Sequence, residues 1–285
     1  MRALSAGFAL IAVGVLLAGC AATDVEPAAE RSPLTASPSP AAVVDEQDPL
    51  ELIGQWRITE AAGEEPGTVV RIGFGAVQIW RSCGDVEASW VANHSELRAR
   101  TNGYAQTCNP LPTVTWLENA ASYAVAAEGV TVRADDGSVI ALLARDESAA
   151  PAGRGQLGTV PTVVDDRARK YFAGVFDWPE DVEPVGPDDI SGRWVPRGEF
   201  ATDPHVVFSS GGRWTGTDGC NGGGGRRILT EDGSFASTSG AMFLVGCDGA
   251  PAPDWVMMAR AMGVDGDELV LLDLDGDELG RLVRP

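Results

Sequence analysis

The chain carries the same landmarks twice in the same order. Trp56, in Leu52-Ile53-Gly54-Gln55-Trp56, is matched by Trp194, in Ile190-Ser191-Gly192-Arg193-Trp194. Cys83 is matched by Cys220, Cys108 by Cys247, Asp136-Gly137 by Asp275-Gly276, and Arg145 by Arg284. The five offsets are 138, 137, 139, 139 and 139. Solenoid periods run to roughly 20–50 residues, so this spacing predicts two copies of one globular domain. A length of 285 residues accommodates them. Each copy has a modest core, of the size at which a covalent staple helps.

Residues 1–19 read as a targeting segment. Arg2 is a short basic region, and Phe8 to Leu17 is an apolar run too short for a confident membrane span. Leu17-Ala18-Gly19-Cys20 resembles a bacterial lipobox. The resemblance implies cleavage before Cys20 and a diacylglyceryl group on its sulfur, and two acyl chains give stable anchoring. The other cysteines divide evenly, Cys83 and Cys108 in the first repeat and Cys220 and Cys247 in the second. Export places them in an oxidising compartment, so the expected pairs are Cys83–Cys108 and Cys220–Cys247. Each bridge would close a loop of ~25 residues, worth about 3 kcal/mol in the chain-entropy model. A metal site needs about four ligands. Two distant Cys and one His per repeat do not supply them, so no metal or other cofactor is expected.

The formal net charge is −20, and loss of residues 1–19 removes Arg2 but no acid. Nucleic acid and anionic headgroups are poor partners for such a surface. The expected partners are the membrane, through Cys20, and an envelope protein or small ligand. The expected location is the extracytoplasmic face of the cell membrane.

Residues 20–48, rich in Pro, Ala, Ser and acids, read as a disordered tether. The repeats then occupy 49–146 and 188–285. The linker 147–187 carries a short helix expected over Val164–Val175, whose Tyr171 and Phe172 dock on a repeat. In the second repeat, strands are expected at Gly192–Val195, His205–Phe208, Arg213–Thr217, Arg226–Thr230 and Ser234–Thr238. Gly222–Gly225 reads as a loop tip with unusual backbone angles. A helix over Asp254–Met262 and a hairpin, Glu268–Leu274 against Glu278–Val283, complete it. The first repeat copies this, with a helix over Pro112–Tyr123 and a hairpin of Gly129–Ala134 against Val139–Ala144.

The run Val206-Val207-Phe208 through Gly212-Arg213-Trp214-Thr215-Gly216-Thr217-Asp218-Gly219-Cys220-Asn221 resembles the signature of META domains, the HslJ-like family of bacterial heat-shock lipoproteins. The likeness covers about 95 residues of the second repeat and reaches the first only through it. Cys83-Gly84-Asp85 lacks the Asn, and Phe243-Leu244-Val245-Gly246-Cys247 departs from the family's run before its second Cys. The resemblance implies an α+β fold, a small, strongly bent antiparallel half-barrel with one helix on its concave face, present here twice. It also implies a stress-related envelope role.

Four residues are candidates for ligand contact. Asn221 is either a binding amide or an Asn holding a left-handed turn. Arg226 and Arg227 beside four glycines form either an anion cradle or a solvated loop tip; the Lys-Ser/Thr of a P-loop is missing. Trp214 belongs to an aromatic set with Trp80, Trp90, Trp116 and Trp255, most of it core, with any surplus free to line a groove for an apolar ligand. Asp273, Asp275, Asp277 and Glu278 lack the continuation of a calcium loop. With two His, His94 and His205, and no nucleophile motif, no hydrolytic machinery is visible, so the chain is not expected to be an enzyme.

These readings describe a non-catalytic, lipid-anchored envelope protein with a binding or structural role. The alternatives are an exported inhibitor or scaffold that captures another protein, or a binder of a small apolar ligand. An open concave face would favour the ligand, a filled one the scaffold. The four non-lipidated cysteines predict that native, unreduced protein releases no thiol to Ellman's reagent. Two or more reactive thiols per chain would contradict both pairing and compartment.

Overall fold

Valine and isoleucine at alternate positions build most of the first half. Val70 and Ile72, Val77 and Ile79, and Val130 and Val132 all point inward, as residues two apart on a strand must. A computed structural model describes residues 47–106, 114–148, 160–174, 177–240, 245–246 and 248–285. The expected leader 1–19, Cys20, most of the expected tether, Cys108 and Cys247 lie outside the described residues.

In chain order a 3-10 turn, Pro49–Leu52, leads into β1 Gly54–Ala61, β2 Val69–Gly73, β3 Ala76–Arg81, β4 Gly84–Ala92 and β5 Leu97–Gln106. Then come α1 Thr115–Glu118, β6 Ser122–Ala126, β7 Gly129–Arg133 and β8 Val139–Arg145. Next are α2 Asp166–Ala173 and β9 Glu183–Pro184. The rest is β10 Gly192–Pro196, β11 His205–Phe208, β12 Arg213–Thr217, β13 Gly222–Leu229, β14 Phe235–Ser237, α3 Ala252–Met258, β15 Ala261–Asp265, β16 Glu268–Leu272 and β17 Glu278–Val283. The fold is mostly β, and the helices of the described residues are short.

The first sheet runs β5-β4-β3-β2-β1-β8-β7-β6, and the second β14-β13-β12-β11-β10-β17-β16-β15-β9. Strand for strand the second order repeats the first, with β9 added at one edge. The first sheet is a strongly curled half-barrel, but the second is not curled, which corrects the expectation of two equal half-barrels. Register shifts interrupt β1–β8, β4–β5 and β7–β8 in the first sheet, but only β16–β17 in the second. Each such bulge bends a strand and raises its twist.

The landmark residues meet at one place in each half. Trp56 lies opposite Arg145 in the β1–β8 register. Its indole Nε1 donates to Leu52 O at 2.9 Å. The Arg145 guanidinium covers its face at 4.4 Å and donates to Glu51 O at 3.0 Å. In the second half Trp194 Nε1 donates to Ile190 O at 2.6 Å, with Arg284 3.9 Å from the ring. Arg284 donates to Ser191 O at 2.7 Å and Asp189 O at 3.0 Å. A Cβ on Gly54 would sit 3.1 Å from the Arg145 guanidinium, and one on Gly192 2.6 Å from that of Arg284. The glycine two residues before each Trp therefore leaves the space the arginine fills.

Three local expectations are corrected. The helix expected over Pro112–Tyr123 is described only at Thr115–Glu118. Beyond it the backbone is taken by the sheet: Leu97 N donates to Ala121 O, and Ala121 N to Arg133 O. Tertiary pairing overrides helix propensity there. The helix expected to Met262 ends at Met258 because Arg260 N donates to Leu272 O and Met262 enters β15. Gly222–Gly225 is no loop tip but the start of β13, and none of the four has positive φ. A Cβ on Gly224 would lie 2.6 Å from Trp214 O, and one on Gly225 1.9 Å from Thr238 O. These glycines permit close backbone approach.

The linker is built into the fold. The helix expected over Val164–Val175 is α2, capped by Asp165, whose side chain accepts from Ala168 N. Phe172 stacks on Trp90 at 5.5 Å, and Phe74 meets Tyr171 edge-on at 5.0 Å. β9 pairs with β15, and Trp178 and Val182 pack on Ala261, Val270 and Leu272. All described residues belong to one compact unit, rather than two bodies on a free linker.

The repeated Trp–Arg contact gives a paired prediction. Cation–π contacts contribute ~0.5–2 kcal/mol. The half-exposed Arg145 belongs at the lower end of that range. Arg145→Ala and Arg284→Ala should each destabilise by about 1 kcal/mol in urea unfolding monitored by tryptophan fluorescence, and their effects should add. An unchanged midpoint for both would refute this role.

Candidate functional site

The concave interior of the first sheet is closed. Trp56, Trp90 and Leu143 fill it with Trp116 and Leu117 of α1, leaving a void of about 10 Å³, at the limit for one water. Open space lies instead at the seam between the two halves. The seam is held by Ser89 Oγ donating to Ser239 O at 2.8 Å and Arg226 Nη1 donating to Glu118 O at 2.6 Å. A Cβ on Gly240 would meet Arg100 Nε at 2.6 Å, so this arginine lies flat against bare backbone of the other half.

Two clefts flank this seam and share one wall, the stacked pair Tyr171 and Arg260, 4.2 Å apart. The larger, about 570 Å³, takes Phe172 and Ala173 from α2, Ile228 from β13, Phe235 and Ala236 from β14, and Asn93 and His94 from the first half. Its volume falls within the ~300–1,000 Å³ of small-molecule sites. Glu231 and Asp232 stand at its edge. Burial pushes the Asp232 carboxyl up, but bonds from Thr230 and Ser234 outweigh this and hold it below the usual carboxylate range. The smaller cleft, about 330 Å³, lies beside Phe74, Trp90 and α3.

Arg260 is held by Met257 O at 3.2 Å and by Ala259 O, and its buried Nε has no hydrogen-bond partner among the described residues. Burial lowers its pKa, and burial raises that of Tyr171 beneath it. Nothing in Ala259-Arg260-Ala261 marks this arginine in the sequence. The aromatic walls come from Tyr171 and Phe172, whose docking was expected.

The four candidate ligand residues lie elsewhere. The side chain of Asn221 is fully engaged: its Nδ2 donates to Asp218 Oδ2 at 2.7 Å and Val245 O at 2.8 Å, and its Oδ1 accepts from Val245 N at 2.7 Å. Burial pushes the Asp218 carboxyl up, but bonds from Asn221 and Cys220 hold it below its ordinary value. Asn221 thus clamps the segment before position 247 to the turn at Cys220. Arg226 and Arg227 are no solvated loop tip: both are buried in β13. Arg227 donates to Pro187 O and Ser209 O, each at 3.4 Å. Burial, with Arg98 and Arg213 nearby, holds Arg226 below its ordinary pKa. Trp214 is core, and its Nε1 donates to Thr238 O at 3.2 Å.

Cys83 and Cys220 are each disulfide-bonded, while positions 108 and 247 lie outside the described residues. Among the described residues, no group of three or more His, Cys, Asp or Glu is placed to hold a metal ion. Asp273 Oδ1 accepts from Asp275 N at 2.8 Å and Asp277 N at 3.0 Å, so these acids shape a hairpin turn. His94 Nδ1 lies 2.9 Å from Gln47 O, and His205 Nδ1 2.9 Å from Asp203 O. His94 lines the larger cleft. No described helix is long and apolar enough to cross a membrane.

No protein-family model matches the chain, and no curated protein does.

Proposed function

We propose that the chain is a non-catalytic, lipid-anchored protein of the cell envelope, fixed through Cys20 on the extracytoplasmic face. In this reading its two META-like halves are tandem copies of one ancestral unit. They work together as a single binding body for a small apolar ligand, in a structural or stress-related role. The matched strand orders and the paired Trp56–Arg145 and Trp194–Arg284 contacts support the duplication. The Asn221 clamp gives the Gly-Cys-Asn run a structural purpose, in keeping with the resemblance that names it.

One observation carries the binding reading: the cleft of about 570 Å³ at the seam, walled by Phe172, Ile228 and Phe235. The filled concave interior counts against a ligand inside a sheet and by the sequence criterion favours the scaffold alternative; the cleft at the junction is what supports an apolar ligand. Neither half supplies such a cleft alone, which gives the duplication a use.

Two experiments test this. Cys20→Ser should leave the chain unprocessed or release it to the soluble fraction. A processed mutant that still sediments with membranes would contradict the anchor. The full mature chain should bind the uncharged dye Nile red saturably, and Ala236→Trp, which fills the cleft, should weaken that binding by roughly tenfold, the loss of ~1.4 kcal/mol of apolar contact. Equal binding by both forms would remove the cleft from the account.

A further inference from the structure

The smaller cleft has a different chemistry. Two guanidiniums enter it, Arg167 from α2 and Arg260 from the turn before β15. Each lies over an aromatic ring, Arg167 5.3 Å from Phe74 and Arg260 4.2 Å from Tyr171. The two rings meet edge-on at 5.0 Å, so the cations are held on adjoining faces of one aromatic cluster. Neither arginine makes an ion pair among the described residues.

The one acid lining this cleft, Asp273, already accepts two backbone N–H groups of its own turn through Oδ1. Burial disfavours the Arg260 charge and Arg167 repels it, while Asp273 offsets only part of this. An anion between them would relieve both costs. The remaining walls are amphipathic: the hydroxyl-bearing Ser237 and Ser239 on one side, and Trp90, Met257 and Leu279 as apolar surface. Arginine presents a planar fork of donors suited to carboxylate and phosphate oxygens.

We propose that this cleft binds the anionic group, carboxylate or phosphate, of a small molecule whose apolar body lies along Trp90, Met257 and Leu279. Its volume, about 330 Å³, suits a short chain or a single ring system. The proposal does not depend on occupancy of the larger cleft.

The test is calorimetric titration of the full mature chain at low salt with octyl phosphate, octanoate and uncharged octanol, all below micellar concentration. Both anions should bind saturably, and octanol roughly tenfold more weakly or worse, as expected for loss of a charge-assisted contact. Arg167→Gln, on the exposed face of α2, should keep the wild-type melting temperature. It should weaken both anions roughly tenfold while leaving octanol unchanged. Arg260→Gln should weaken both anions likewise, and Ala236→Trp in the other cleft should not. Inorganic phosphate alone should bind more weakly than octyl phosphate, since it lacks the apolar body. The proposal is overturned if neither anion binds saturably, if octanol matches them, or if Arg167→Gln leaves their affinity unchanged.

Discussion

Each half depends on joining its first strand to its last. β1 must find β8 across about 90 residues of chain, and β10 must find β17 across a similar span. Closing such loops costs entropy that grows slowly with length, and a strong cross-strand pair at the join offsets it. Trp56 over Arg145 and Trp194 over Arg284 are those pairs. The indole N–H is satisfied by a carbonyl four residues upstream, and the ring face by the guanidinium. The guanidinium donors return to backbone carbonyls just before the first strand. One interaction thereby ties together the start, the first strand and the last strand.

The second constraint is the seam. Its contacts are polar and backbone-directed: Arg226 to Glu118 O, Ser89 to Ser239 O, and Arg100 against Gly240. α2 adds an aromatic bridge, with Phe172 on Trp90 of the first half and Tyr171 under Arg260 of the second. Lys170, the only lysine in the chain, pairs with Asp275 of the closing hairpin. The segment between the repeats is therefore part of the wall that creates the clefts.

Much of this was legible in the sequence. The spacing of Trp and Arg predicted matching positions, and Trp56–Arg145 and Trp194–Arg284 share one stacking geometry. The closing hairpins and the docking of Tyr171 and Phe172 followed from short-range patterns. What failed depended on neighbours distant in sequence. Gly222–Gly225 looks like a loop until Trp214 O and Thr238 O are seen pressing on its backbone. Arg226 and Arg227 look solvated until the carbonyls of Glu118, Pro187 and Ser209 arrive. The helix expected to reach Tyr123 is cut short by carbonyls on β7 and amides on β5. The bulges that accompany the curl of the first sheet leave no plain mark in composition. Arg260 acquires its interest only from the ring of Tyr171, 89 positions earlier in the chain.

The central claim is that the two repeats and α2 form one cooperative body with clefts at its seam. Differential scanning calorimetry of the mature chain tests it most directly. One body predicts a single transition whose calorimetric and van't Hoff enthalpies agree. Two resolved transitions, each with about half the total enthalpy, would show that the repeats unfold independently and would contradict the account.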